Sequence, residues 1–149
     1  MATNDVIGVL NDLIETSRDG EEGFRTSAEA ARSPELKSFF TEGAQRCARA
    51  VADLQQMVQR FGGQAAESGT VAGALHRGWT QLKAAVSAND DKAILNEVER
   101  GEDHAVSVYR DALAKNLPPD VQAVVQKMYD GARQNHDRVK IMRDRFTAT

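Results

Sequence analysis

Glu21, Glu99, Glu102 and His136 are the residues whose types and positions could do chemistry together. Carboxylates supply hard oxygen ligands and a neutral imidazole supplies nitrogen, a donor set that suits a single Fe, Mn or Zn ion. Glu102 interrupts the middle of an apolar helical stripe, with Val98, Ala105 and Val106 three or four residues away. A lone carboxylate is costly to bury unless it is paired, hydrogen-bonded or metal-bound. The alternative to a metal is therefore an ion pair with an arginine such as Arg133. His136 lies within the stripe of Ala132 and Val139, about one turn from the level of Glu102. There it could equally be a core histidine hydrogen-bonded by Tyr109 or Tyr129. Glu21 falls on the line Ile14, Ser17, Phe24, Ala28. Glu99 precedes Glu102 by one turn, so the two could bridge a cation, or Glu99 could pair with a surface base.

A second pattern places an acid beside a glycine near the middle of each long helix: Gly20-Glu21-Glu22-Gly23, Glu42-Gly43, Gly101-Glu102 and Asp130-Gly131. Glycine inside a helix costs about 1 kcal/mol relative to alanine, so a shared cause is implied. These acids do not form an equivalent ring. Setting Phe40, Cys47, Leu54 and Phe61 inward turns Glu42 and Gln45 outward, which leaves Glu42 a weak ligand candidate. Asp130 stands among Gln126, Lys127, Arg133 and Gln134 and reads as solvated. Close approach of neighbouring helices is the first explanation of the glycines. His104 reads as a surface residue, His76 lies off the stripe of its own helix, and Cys47 reads as a small core residue. No phosphate-binding glycine loop, Cys-x-x-Cys, His-Glu-x-x-His or nucleophile elbow occurs, so no catalytic residue and no organic cofactor is assigned.

The elements that must position these residues are helical. Apolar residues recur at spacings of three and four almost throughout, and strand-like alternation is absent. Helices are expected over about 4–31, 34–61, 90–115 and 119–146, each about 40 Å long at 1.5 Å per residue. Thr3 or Asn4 can cap the first. Ser33-Pro34 restarts the chain with a good N-cap followed by proline at the first helical position, and Gly62-Gly63 ends the second helix. Asn116-Leu-Pro-Pro-Asp120 is a tight turn. Between the two hairpins a shorter amphipathic helix is expected over 70–87, with Val71, Leu75, Trp79, Leu82 and Val86 on one face. Trp79 and this stripe are the expected packing or partner surface, unless they cover the bundle's own core. The pattern predicts an all-α bundle of two antiparallel hairpins joined by a long crossover, the layout of ferritin-like folds. A plain up-and-down bundle capped by a fifth helix satisfies the same pattern.

The 149 residues suit one domain, 1–149. Net charge is −3, with acids and bases interleaved, so no basic patch points to nucleic acid. Cys47 is the lone cysteine, which excludes an intrachain disulfide and favours a reducing compartment. The polar start, Met1-Ala-Thr-Asn-Asp5, has no apolar signal core behind it, and no apolar run approaches the roughly 20 residues of a membrane span. A soluble cytoplasmic protein is expected.

The string Asn96-Glu-Val-Glu-Arg-Gly-Glu-Asp-His104 sits with His76-Arg-Gly-Trp79, Leu10-Asn-Asp-Leu-Ile-Glu15, Asp19-Gly20 and Asn135-His-Asp137. In these the chain resembles, over essentially its whole length, an uncharacterised bacterial four-helix-bundle family of the ferritin-like superfamily, a domain of unknown function. The resemblance implies a ferritin-like bundle in a stress or stationary-phase setting, and no established reaction. Di-iron members of that superfamily use a glutamate from each of two helices and Glu-x-x-His from each of the other two. This chain has no Glu-x-x-His. Gln45 stands where a histidine would follow Glu42, and Arg133 stands before His136. The main expectation is thus a non-enzymatic module acting through self-association or a protein partner. The alternative is a metal-binding or iron-redox protein with an altered site of Glu21, Glu99, Glu102 and His136.

Overall fold

The computed structural model describes residues 2–65 and 78–147. Helix α1 covers Thr3–Ala30 and α2 covers Pro34–Arg60. A short α3, Leu82–Ser87, leads into α4, Asp91–Leu113, and α5, Pro119–Thr147. All regular structure among the described residues is helical.

The helix ends follow local chemistry. The Ser33 side chain accepts the Leu36 backbone N–H, and Pro34 opens α2 without leaving a donor unpaired. Asp90 caps α4 by accepting from Lys92 N at 3.1 Å. Gly62, at φ +79°, closes α2 in the left-handed region, and Gly63 N returns to the carbonyl of Val58 at 3.0 Å. The start of α1 departs from expectation: Ala2 is its N-cap, with no side-chain hydrogen bond, so neither Thr3 nor Asn4 serves.

The connection between the hairpins also differs from a helix over 70–87. Within the described residues, helix begins only at Leu82. Gly78 sits at φ +98° and Trp79 belongs to no helix. Residues 66–77, including His76, lie outside the described residues. Trp79 and Leu82 are both buried, as the amphipathic stripe requires. The stripe is interrupted because the left-handed turn at Gly78 feeds the indole into the bundle.

Side-chain contacts at the two ends establish the topology. Asp91, at the start of α4, accepts from the backbone N–H groups of Arg32 and Ser33, at 2.8 and 3.0 Å. At the opposite end, Asn11 on α1 donates to the carbonyl of Gln64 just after α2, at 3.1 Å. The described ends of the connection, Gln64 and Asp91, therefore lie at opposite ends of the bundle, and α2 and α4 point the same way. Arg60–Asp120 and Glu35–Arg145, each at 3.3 Å, set α2 antiparallel to α5 along its full length.

Two apolar clusters fill the ends. One joins Leu10, Leu13 and Ile14 to Leu54, Val58, Val121 and Val125. The other joins Phe24, Phe40, Trp79, Leu95, Val98 and Val139. Phe24 meets Trp79 edge-on, with centroids 5.5 Å apart. Each fully buried side chain of this size contributes about 1.5–3 kcal/mol. Between the clusters lies a layer that is mostly polar.

Candidate functional site

The mid-helix glycines explain how this layer is built. A Cβ on Gly101 would lie 2.3 Å from the Trp79 ring, and one on Gly23 would lie 2.5 Å from it. A Cβ on Gly43 would lie 2.7 Å from Phe24, and one on Gly20 would lie 2.9 Å from the Cys47 Sγ. These four glycines are notches filled by a side chain from another element, more specific than close helix approach alone. Gly131 is different: a Cβ there would meet nothing within 4 Å.

Glu102 is the centre of the polar layer, and its side chain is 3% exposed. Its Oε1 accepts from the Arg46 guanidinium at 3.0 Å. Burial raises its pKa, against the opposing pull of Arg46, Asn135 and His136. Asn135 faces the carboxylate, yet neither its Nδ2 nor Glu102 Oε2 completes a well-formed hydrogen bond. Arg46 also lies over the Phe24 ring, 5.5 Å from its centroid. Two turns further on, Tyr109 Oη and Ser17 Oγ share a hydrogen bond of 2.9 Å. Burial pushes the Tyr109 hydroxyl and the Cys47 thiol each up to about 12, so both are neutral.

The four predicted ligands do not meet. Glu21 is bound by Arg25 one turn along α1, at 2.6 Å. Glu102 has its cation from α2, so the expected partner Arg133 is corrected to Arg46. Arg133 is exposed and stacks on Tyr129 at 5.6 Å. Glu99 and His136 do come together, with Asp103 as third member. One ligand atom from each lies within 4.8 Å of the others, the one such group among the described residues. His136 Nε2 is 2.6 Å from Asp103 Oδ1, while Glu99 contacts the Arg143 guanidinium. Tyr109 and Tyr129 do not satisfy His136: the partner of Tyr109 is Ser17. Glu42 and Asp130 are exposed, and Asp130 accepts from Gln126 at 3.0 Å.

Two inward residues escaped the sequence reading although their spacing marks them. Arg46 is three residues after Gly43 and four before Ala50, on the same face of α2. Glu97 is three after Ile94 and four before Gly101. Glu97 is fully buried, and burial raises its pKa while the Gln81 N–H and Arg100 oppose. Its Oε2 accepts the Gln81 backbone N–H, and Arg100 donates to Thr80 Oγ1 at 3.1 Å. Together they latch the Trp79 segment onto α4. His104 is not a plain surface residue: it is half-buried, and a Cβ on Gly78 would come within 2.6 Å of it.

Along their middles α2 and α5 stand apart, and an open-sided cavity of about 610 Å³ lies between them. Its floor comes from Ser17, Tyr109 and Glu102, its walls include Met57, Val124 and Met128, and Gly131 lines it. This size is typical of small-molecule sites.

The fit of a metal pair to this centre can be judged from the donors. A guanidinium already neutralises Glu102, and the next groups are a hydroxyl pair and a protonated thiol. A second cation there would face Arg46 at close range. The central residues therefore do not fit a di-metal cluster. No helix among the described residues is long and apolar enough to cross a membrane. The family model described as domain of unknown function (DUF2383) matches residues 5–115, from α1 to just past α4. No curated protein matches the chain.

Proposed function

The chain belongs to the DUF2383 domain family. We propose that it is a non-enzymatic ferritin-like bundle that acts by binding or association in a bacterial stress setting. The observation that carries this reading is the Arg46–Glu102 pair at the bundle centre. Where a di-iron bundle directs free carboxylates at metal, this chain supplies its own cation. The parallel course of α2 and α4 supports the ferritin-like layout. When the protein is expressed with Fe, Mn and Zn supplied, metal per chain should not depend on Glu102. Stoichiometric metal that disappears in Glu102→Ala overturns the proposal. The stress setting predicts a severalfold rise in protein level on entry into stationary phase, and an unchanged level sinks that part.

A second reading rests on Glu99, Asp103 and His136, whose ligand atoms lie close enough to share one ion. One nitrogen and two oxygens suit Zn, Mn or Fe. Against it, Glu99 is already engaged by Arg143. Metal retained in Glu102→Ala and lost in His136→Ala selects this reading over the first.

A further inference from the structure

We infer that the cavity between α2 and α5 is a binding site for an amphipathic organic anion, with its apolar body against the walls and its charged group at the rim. Two observations carry this. The walls are apolar: Met57, Val124, Met128 and Ala132 line the space. Thioethers adapt to ligand bodies of varied shape. The rim is cationic: Arg46, Arg49, Arg60 and Lys127 line the cavity with the acids Asp53 and Glu102, and Glu102 holds Arg46. Arg60 is engaged by Asp120, which leaves Arg49 and Lys127, both exposed, one on each side of the opening, as the charges for an anion.

Gly131 adds a third argument. The other glycines in the middle of the bundle are filled by Trp79, Phe24 or Cys47, so their cost is offset by packing. Gly131 borders the cavity and no neighbouring side chain occupies its notch. A larger residue there would take up the space that a ligand body needs.

The test is titration of the full chain with 8-anilinonaphthalene-1-sulfonate, which joins a sulfonate to an apolar ring system. Binding is read by calorimetry, with circular dichroism confirming the fold of each variant. The wild type should bind one equivalent saturably. Gly131→Leu should weaken binding at least tenfold, since its Cβ meets open space. Arg49→Glu combined with Lys127→Glu, both exposed, should weaken it severalfold and reduce its salt dependence, and this arm stands even if the leucine variant folds poorly. Displacement of the probe by dodecanoate assigns the site to acyl anions; binding of the probe without displacement assigns it to aromatic anions. Absence of saturable binding, several equivalents per chain, or equal affinity in the folded variants overturns the inference.

Discussion

The Trp79 indole occupies the place that a side chain on Gly101 would take: a Cβ there would fall 2.3 Å from ring atom Cε2. Gly23, on α1, leaves a matching notch at 2.5 Å on the same ring. Two glycines on neighbouring helices thus clasp one aromatic ring delivered by the crossover. Gly101→Ala should lower stability by about 1–3 kcal/mol, because overpacking a clamped ring outweighs the helix-propensity gain of about 1 kcal/mol. In a Trp79→Ala background the same change should be neutral or stabilising. Chemical denaturation of the double-mutant cycle reads the coupling; additive effects would show that the contact is not the cause.

Gly131→Ala should behave oppositely. No atom lies within 4 Å of its Cβ position, so the helix-propensity gain is unopposed. Stability should rise by about 0.5–1 kcal/mol, measured by the same denaturation. A loss would mean that this notch is filled.

Glu102 predicts a pH dependence. Burial raises its folded pKa above the ordinary 4.5, so the proton is bound more tightly folded than unfolded. Its contribution is fully present below 4.5 and is lost as pH rises through the folded value. Glu102→Gln should therefore gain stability relative to wild type as pH climbs from 4.5 toward neutrality, followed by thermal melts at stepped pH. A difference that stays constant with pH refutes this. Arg46→Ala should cost about 2–4 kcal/mol at neutral pH, below the full cost of breaking a buried pair because Arg46 is 30% exposed.

Cys47 should be inert although it lines the cavity. Burial pushes its thiol to about 12, so at pH 8 only about one molecule in ten thousand carries the thiolate nucleophile. A disulfide reagent should modify native protein far more slowly than unfolded protein. Equal rates would contradict the burial.

Glu97 is predicted to hold the crossover. Glu97→Ala removes the acceptor of the Gln81 N–H and loosens the segment that seats Trp79. Trp79 is the single tryptophan and is 2% exposed, so its fluorescence reports that segment alone. The emission should shift to the red in Glu97→Ala while helix content is kept. An unshifted spectrum would show that the ring clasp suffices without the latch.

Periodicity made the four long helices legible, because spacing of three and four is a local property that each helix writes into its own residues. Ser33-Pro34 and Gly62 were readable for the same reason: caps and turns act within a few residues. Glu102 was legible as an inward acid from its stripe. What filled the space around it was not. Arg46 comes from another helix, and whether it or Arg133 meets Glu102 depends on how α2 and α5 are rotated about their axes. The glycine notches were visible as anomalies, but their occupant Trp79 arrives from a turn at Gly78 that breaks an otherwise helical pattern. The separation of Glu21 from Glu99 and His136 is likewise a matter of helix placement. Sequence by itself determined the four long helices and most of the residues they bury; only the tertiary structure decided where the crossover helix starts and which buried groups meet, because pairing energies between helices depend on distances of a few ångströms that no single stripe encodes.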